Sequence, residues 1–217
     1  MNTFADRDRA LKTFVSERVS SLQRKYGADD RDAVAALARL RRGVGARAGS
    51  LPDLWALTCE DLPEELTDET CFSRAEHAGA ATLWEQAAHD ALTLYAWHQQ
   101  GRTEPMHRRD AGFGAAMRVL GGQAGSVEAV RRRFHAMGTA RRHTGRLIQL
   151  RGLIRQLRTQ SIPLDYGRLA CDLRCLDDGT YANQVLLQWG RDYHRRPAES
   201  TEQTSDEHTT TAKGQDQ

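Results

Sequence analysis

The sequence has few cysteines and no long apolar run, and each absence narrows the class of protein. The four cysteines form no CxxC pair and no paired Cys/His spacing of the kind that holds zinc. We therefore interpret Cys59, Cys71, Cys171 and Cys175 as small hydrophobic residues of a reduced protein. Neither a signal peptide nor a membrane-length apolar stretch is present, so we expect a cytoplasmic protein that makes no membrane contact.

Catalytic motifs are missing as well. The sequence contains no phosphate-binding loop, no nucleophile elbow and no HExxH motif. Glu85 and His89 lie four residues apart on one predicted helix face, which favours a surface hydrogen bond over half of a metal site. Asp177 and Asp178 precede Gly179 and indicate a turn between helices. We expect no catalytic residue, no bound metal and no cofactor.

Lysine is scarce, whereas arginine is abundant. The chain has 3 lysines and 28 arginines. A genomic base-composition bias can cause part of this excess, and that part carries no function. The physical consequence is the same in either case, because a guanidinium group is planar, permanently charged and able to bind two phosphate oxygens at once.

The net charge of +2 conceals a strong segregation of charge along the chain. The charge is +5 over residues 1–49, −9 over 50–101, +10 over 102–158, zero over 159–197 and −4 from residue 198 onward. Electric fields depend on local charge rather than on the total, so the +10 segment is the informative one. It favours a nucleic-acid partner over an acidic protein surface, an internal match to the −9 segment, or a solvated face.

Apolar residues recur with helical spacing almost throughout, and no strand-like alternation is found. The predicted fold is therefore all-α, with helices over residues 3–26, 30–42, 73–100, 113–120, 127–137, 141–160, 165–176 and 180–193. A short turn of helix is expected at 53–57, and residues 58–70 are acidic and irregular. The polar segment from Gly101 to Gly112, which contains Pro105, predicts a short linker between two small helical-bundle lobes, 1–100 and 101–196. Residues 197–217 lack large apolar side chains and are expected to form a disordered acidic tail.

A first basic cluster lies at the end of the second predicted helix. Arg41, Arg42 and Arg47 surround the glycine-rich loop that begins at Gly43. Cations at a helix C-terminus are favourable in themselves, which is the purely structural interpretation. The glycines also allow a phosphate or another backbone to approach closely, so this cluster is a candidate nucleic-acid contact.

A second basic cluster occupies the +10 segment. Leu147, Leu150, Ile154 and Leu157 form the apolar stripe of its last helix, and arginines border the stripe. Gly145 and Gly152 share one side of that helix at a cost of about 1 kcal/mol each, so we expect another group to approach the backbone there. The arginines of this cluster are Arg131, Arg132, Arg133, Arg141, Arg142, Arg146, Arg151, Arg155 and Arg158.

The order of several short stretches resembles the CasB family, the small subunit of the type I-E CRISPR surveillance complex Cascade. The resemblance runs from about residue 30 to about residue 195. It is carried by LARLRRG at 37–43, WEQAAHDALTLYAWHQ at 84–99, GFGAAMRVL at 112–120, VRRRFHAM at 130–137, RLIQLRGLIRQLR at 146–158, IPLDYGRLACDL at 162–173 and WGRDY at 189–193.

This resemblance implies a two-lobed helical protein without catalytic activity. It implies assembly with the backbone and large subunits of Cascade, with a second copy of the chain and with guide RNA. It also implies a role in holding the target DNA and its displaced strand. The residues that it places in basic elements are Arg41, Arg42, Arg118, Arg131, Arg132, Arg142, Arg146 and Arg151.

Two other functions are compatible with the sequence. A helix-turn-helix regulator would need a recognition helix with base-reading residues after a tight turn, and no segment clearly fits. A helical adaptor would dock its basic face on an acidic protein. A complex that carries a guide RNA needs no base-reading helix, because base pairing with the guide reads the sequence and the protein stabilises the nucleic-acid backbone.

Overall fold

The structure is a computed structural model that describes residues 3–123, 127–140 and 142–195. Arg141 and the predicted tail lie outside these ranges. Within them the chain forms helices and no strand, with one isolated bridge between His107 and Leu164. The all-α prediction is confirmed. The helices are α1 Phe4–Gly27, α2 Arg31–Arg42, α3 Trp55–Thr58, α4 Glu64–Thr67, α5 Arg74–His77, α6 Leu83–Gln99, α7 Phe113–Gln123, α8 Val127–Thr139, α9 His143–Thr159, α10 Tyr166–Asp178 and α11 Ala182–His194.

Side-chain caps determine where several helices begin. Thr3 forms a capping box with Asp6 at the start of α1, and Asp30 accepts a hydrogen bond from the Ala33 amide at the start of α2. Asp165 accepts from the Arg168 amide at the start of α10. Such caps satisfy amides that have no partner inside the helix, so these starts were predictable to within a residue or two.

The predicted helix over residues 73–100 is wrong, because two helices occupy this range. Helix α5 is a single turn, and Gly79 follows it with a φ of +93° that a helix cannot contain. Helix α6 starts only after Thr82, which forms a capping box with Glu85. The expected Glu85–His89 hydrogen bond is also wrong, since the buried His89 donates from Nε2 to the carbonyl of Gly43 at 3.0 Å.

Helix α6 is the central element of the core. It packs against α1, α2, α9 and α10, and its residues Ala88, Leu92 and Tyr95 are fully buried. Helix α10 packs in turn on α1 and α6, while α7 packs on α11 and α8 packs on α9. Helices from both predicted lobes are therefore in contact, and the division at residues 101–112 stays a prediction.

Three of the four cysteines pack as the sequence suggested. Cys59 is buried, and Cys171 and Cys175 lie against the edge of the core. Burial raises the pKa of the Cys59 and Cys175 thiols to about 11. The interpretation is wrong for Cys71, whose side chain is exposed on the acidic connection before α5.

Among the described residues, no helix combines the length and the apolar composition needed to cross a bilayer.

Candidate nucleic-acid interface

The first basic cluster surrounds the end of α2, but its three arginines have different environments. Arg42 is exposed, and its Nη2 lies 2.5 Å from the Asp53 carboxylate. Arg47 is exposed on the loop after α2. Arg41 is half-buried and has no carboxylate within ion-pair distance in the described part of the chain. Arg47 likewise has no carboxylate partner among the described residues, so Arg41 and Arg47 are the members whose charge is left for an external partner.

The C-terminal ends of α6 and α9 hold two further arginines in place. Arg158 donates to the Trp97 carbonyl at 3.2 Å and to the Gln100 amide oxygen at 3.1 Å. Arg102 donates to the Thr159 carbonyl at 3.3 Å. The last carbonyls of a helix carry partial negative charge and have no partner inside the helix, so they attract and orient guanidinium groups.

These side chains belong to one group of like charges, which we name the arginine cluster: Arg41, Arg102, Arg155 and Arg158. Partial burial lowers the pKa of Arg158, and the positive charges of Arg102, Arg155 and Arg41 lower it further. None of the four pairs with a carboxylate among the described residues. In the fold, Arg41 of the first basic cluster therefore lies close enough to act on Arg158 of α9, the last helix of the second basic cluster.

Trp97 supports the edge of the arginine cluster. The guanidinium carbon of Arg158 lies 5.4 Å from the centre of its ring, and that of Arg151 lies 5.6 Å away. Both distances are within the range of attractive cation–π contacts. Because the indole is half-buried and Arg151 is exposed, the ring anchors a cation that still faces solvent.

Arg146 has a different environment from its neighbours on α9. Its side chain is buried, it forms an ion pair with Asp177, and it donates to the carbonyls of Ala140 and Leu176 at 3.2 and 3.1 Å. His143 completes this network, with Nδ1 2.6 Å from Asp177 and Nε2 3.2 Å from Asp90. Hydrogen bonds to Asp177 and then Asp90 raise the pKa of His143 to about 10. These contacts attach the start of α9 to α6 and α10.

The acidic segment 50–101 does not neutralise the basic segment 102–158. Among the described residues, the arginines of the basic segment that pair with a carboxylate are Arg131, with Glu128, and Arg146, with Asp177. Neither acid lies in the acidic segment. The ion pair between the two segments in the described chain is His143–Asp90, which is internal to the network at the start of α9. The remaining described arginines of the segment are left without a carboxylate partner.

Comparison with known proteins identifies the family. Residues 36–194 match the family described as CRISPR-associated protein Cse2. The chain belongs to the Cse2 family. The crystal structure of CasB from Thermobifida fusca is similar, with a TM-score of 0.73 and 37% sequence identity over 86% of this chain and 98% of that one. The comparison with curated proteins gives no match. The resemblance to the CasB family is confirmed.

The remaining predicted contacts of this Cse2-family chain lie on α7 and α8 and at the start of α9. Arg132 and Arg142 are exposed, and Arg131 is exposed but bound to Glu128 at 2.8 Å. Arg118 is half-buried on α7, and its Nε has no hydrogen-bond partner in the described chain. The position of Arg141 is outside the described residues. Of these, Arg118, Arg131, Arg132 and Arg142 are not among the charges that act on Arg158.

Sequence reasoning about this Cse2-family chain predicted Arg41 of the arginine cluster as a contact and passed over the other three members. Arg102 is in the predicted linker, and its carbonyl partner Thr159 is at the far end of α9. Arg155 was recognised as bordering the apolar stripe, but nothing in the sequence distinguished it from Arg146. The available signal was the excess of arginines near helix C-termini, where the dipole favours cations.

Proposed function

We propose that this Cse2-family chain is the non-catalytic small subunit of a type I-E Cascade complex and acts in the cytoplasm. In this function its arginine surface binds nucleic acid and stabilises the R-loop, in particular the displaced DNA strand. The partners are the backbone and large subunits, a second copy of the chain, guide RNA, and the target and displaced strands. Family membership supports the assembly, and the arginine cluster supports the binding.

The single observation that carries the proposal is the unpaired state of the arginine cluster. Arg41, Arg102 and Arg155 act on Arg158, and none of the four has a carboxylate partner in the described chain. Burial lowers the pKa of Arg158, and repulsion from these three charges lowers it further. Phosphates relieve this repulsion, and each phosphate contact releases counterions. Arginines held by backbone carbonyls and a tryptophan ring make a surface for the nucleic-acid backbone rather than a device that reads bases.

The first prediction tests this function in the assembled complex. We expect the double substitution Arg41→Glu and Arg155→Glu to leave a guide-RNA-containing complex intact and to weaken R-loop formation on linear target DNA by about tenfold or more. Each carboxylate placed near a phosphate costs on the order of 1 kcal/mol close to water. The defect should be smaller on negatively supercoiled DNA, because supercoiling itself favours opening.

The control is Arg9→Glu, which makes one such charge reversal on an exposed side chain paired with Asp6. It lines a surface pocket with the acidic residues Glu17 and Glu65, and it is not among the charges that act on Arg158. The proposal fails if the double variant opens both targets as well as the wild type does. Failure of the double variant to assemble, with unchanged DNA binding by the free protein, would instead identify an adaptor that docks on an acidic protein.

A further inference from the structure

A groove between α8 and α9 combines apolar and cationic walls. It has a volume of about 510 Å³ and is lined by residues that include Arg133 of α8 and Ile148, Gly152, Arg155 and Gln156 of α9. Ile148, Gly152 and Arg155 follow one another at helical spacing, so they share one side of α9. This volume lies within the range of roughly 300–1,000 Å³ found for small-ligand sites.

Ile148 is unusual for a side chain in such a basic region. Its exposed fraction is 64%, the highest among the large hydrophobic residues that the structure describes as exposed. It lies one turn from Gly152, where an added Cβ would meet only the far end of the Arg133 side chain at 3.7 Å. The group that approaches the α9 backbone at Gly152 is therefore the end of the Arg133 side chain of α8, and no other described group outside α9 lies within 4 Å of that Cβ position.

The groove is continuous with the arginine cluster. Arg155 lines the groove and is also one of the charges that lower the pKa of Arg158. Arg133 lies on the opposite wall, and neither arginine pairs with a carboxylate among the residues described. A ligand in the groove thus has positive charge on both sides and an apolar side chain beneath it, which is the complement of a nucleotide.

We propose that this groove binds one unpaired base of single-stranded DNA, with the adjoining phosphates on Arg133 and Arg155. The inference rests on the proposed function and deepens it, because it gives the surface a preference for an opened strand. In a duplex both faces of a base are covered by its neighbours, so only an unstacked base can lie on Ile148.

The test compares three DNA probes with the full-length protein at low salt, read by fluorescence anisotropy. The probes are a 20-nucleotide single strand, the same strand with abasic sites throughout its centre, and the corresponding duplex. We expect the wild type to bind the normal strand about fivefold more tightly than the abasic strand, less than the gain from stacking on an aromatic ring. Ile148→Ser should remove most of this difference and leave abasic-strand binding unchanged.

Two further variants separate loss of the groove from loss of the fold. Gly152→Ala places a methyl group in ordinary van der Waals contact with the end of the Arg133 side chain and should leave the ratio unchanged, whereas Gly152→Leu fills the groove and should abolish the preference. Leu187→Ser on α11 is the matched control for Ile148, since Leu187 is 54% exposed and does not line the groove. Circular dichroism confirms that each variant is folded.

The outcomes distinguish this inference from the function on which it rests. The inference is overturned if Ile148→Ser and Gly152→Leu keep the wild-type ratio between normal and abasic strands while all probes still bind. If the wild type binds none of the probes, the proposed function and the groove both fail.

Discussion

His143 connects three helices through charge. It starts α9 and lies between Asp177 of α10 and the fully buried Asp90 of α6. A carboxylate buried to this degree needs a cation or a proton, and burial raises the pKa of Asp90. The protonated imidazole supplies the cation, so the start of α9 is held against the core and the arginines further along that helix keep their orientation.

His143→Ala is expected to lower the free energy of unfolding by about 2 kcal/mol near pH 6.5, because it removes charge-assisted hydrogen bonds to two carboxylates. The folded-state pKa of His143 is raised from 6.5 to about 10. Its contribution is therefore fully present below the unfolded-state pKa and is lost as the pH rises through about 10. Urea denaturation between pH 6.5 and pH 10 measures the difference.

His135→Ala, at an exposed position of α8, is the control and should change stability little at any pH. A difference between wild type and His143→Ala that stays constant up to pH 10 would show that His143 is neutral in the folded protein.

Neighbouring arginines of α9 also show the limit of sequence periodicity. Arg146 and Arg155 both border the apolar stripe, yet one is buried and the other is exposed. The difference comes from Asp177, which is 31 residues away from Arg146 in sequence and reaches it only because α10 packs near the start of α9. Helical spacing predicts the side of the helix on which a residue lies. It does not predict which residue of another helix will contact that side chain.

At the scale of elements, helix boundaries followed from local chemistry wherever a cap or a glycine was decisive. Asp30 and Gly43 bound α2 as expected, and Gly179 ends α10 in the left-handed region with a φ of +79°. The sequence also contained the signals that divide the range 73–100 into two helices, namely Gly79 and the Thr82–Glu85 capping box.

The contact between α7 and α11 depends on Gly114. A Cβ at this position would lie 2.2 Å from the carbonyl oxygen of Trp189, which is backbone and cannot move aside. We expect Gly114→Ala to destabilise the protein by about 2 kcal/mol, because overpacking outweighs the gain in helix propensity. Gly190→Ala, on α11 with nothing within 4 Å, should instead stabilise by up to about 1 kcal/mol.

Thermal unfolding followed by circular dichroism compares the two variants. Equal effects of Gly114→Ala and Gly190→Ala would contradict the close approach of α7 to the backbone of α11.

For the whole molecule, the charge segregation in the sequence predicted a basic surface but not which arginines form it. The alternation of +5, −9 and +10 segments was compatible with an internal match between acidic and basic parts. In the described fold the arginines of the basic segment do not pair with the acidic segment, and this surface remains available. Which arginines lie together depends on where α2, α6 and α9 end relative to one another, and that is a property of packing.

The central claim is that Arg41 and Arg155 contact phosphates on one surface, although they are far apart in sequence. The most direct test is the salt dependence of single-stranded DNA binding by the full-length protein. Each phosphate contact contributes about 0.7 to the slope of log affinity against log salt concentration for single strands, so Arg41→Ala with Arg155→Ala should reduce the slope by about 1.4. Arg9→Ala should leave it unchanged. An unchanged slope in the double variant, or an equal reduction in the control, would contradict the account.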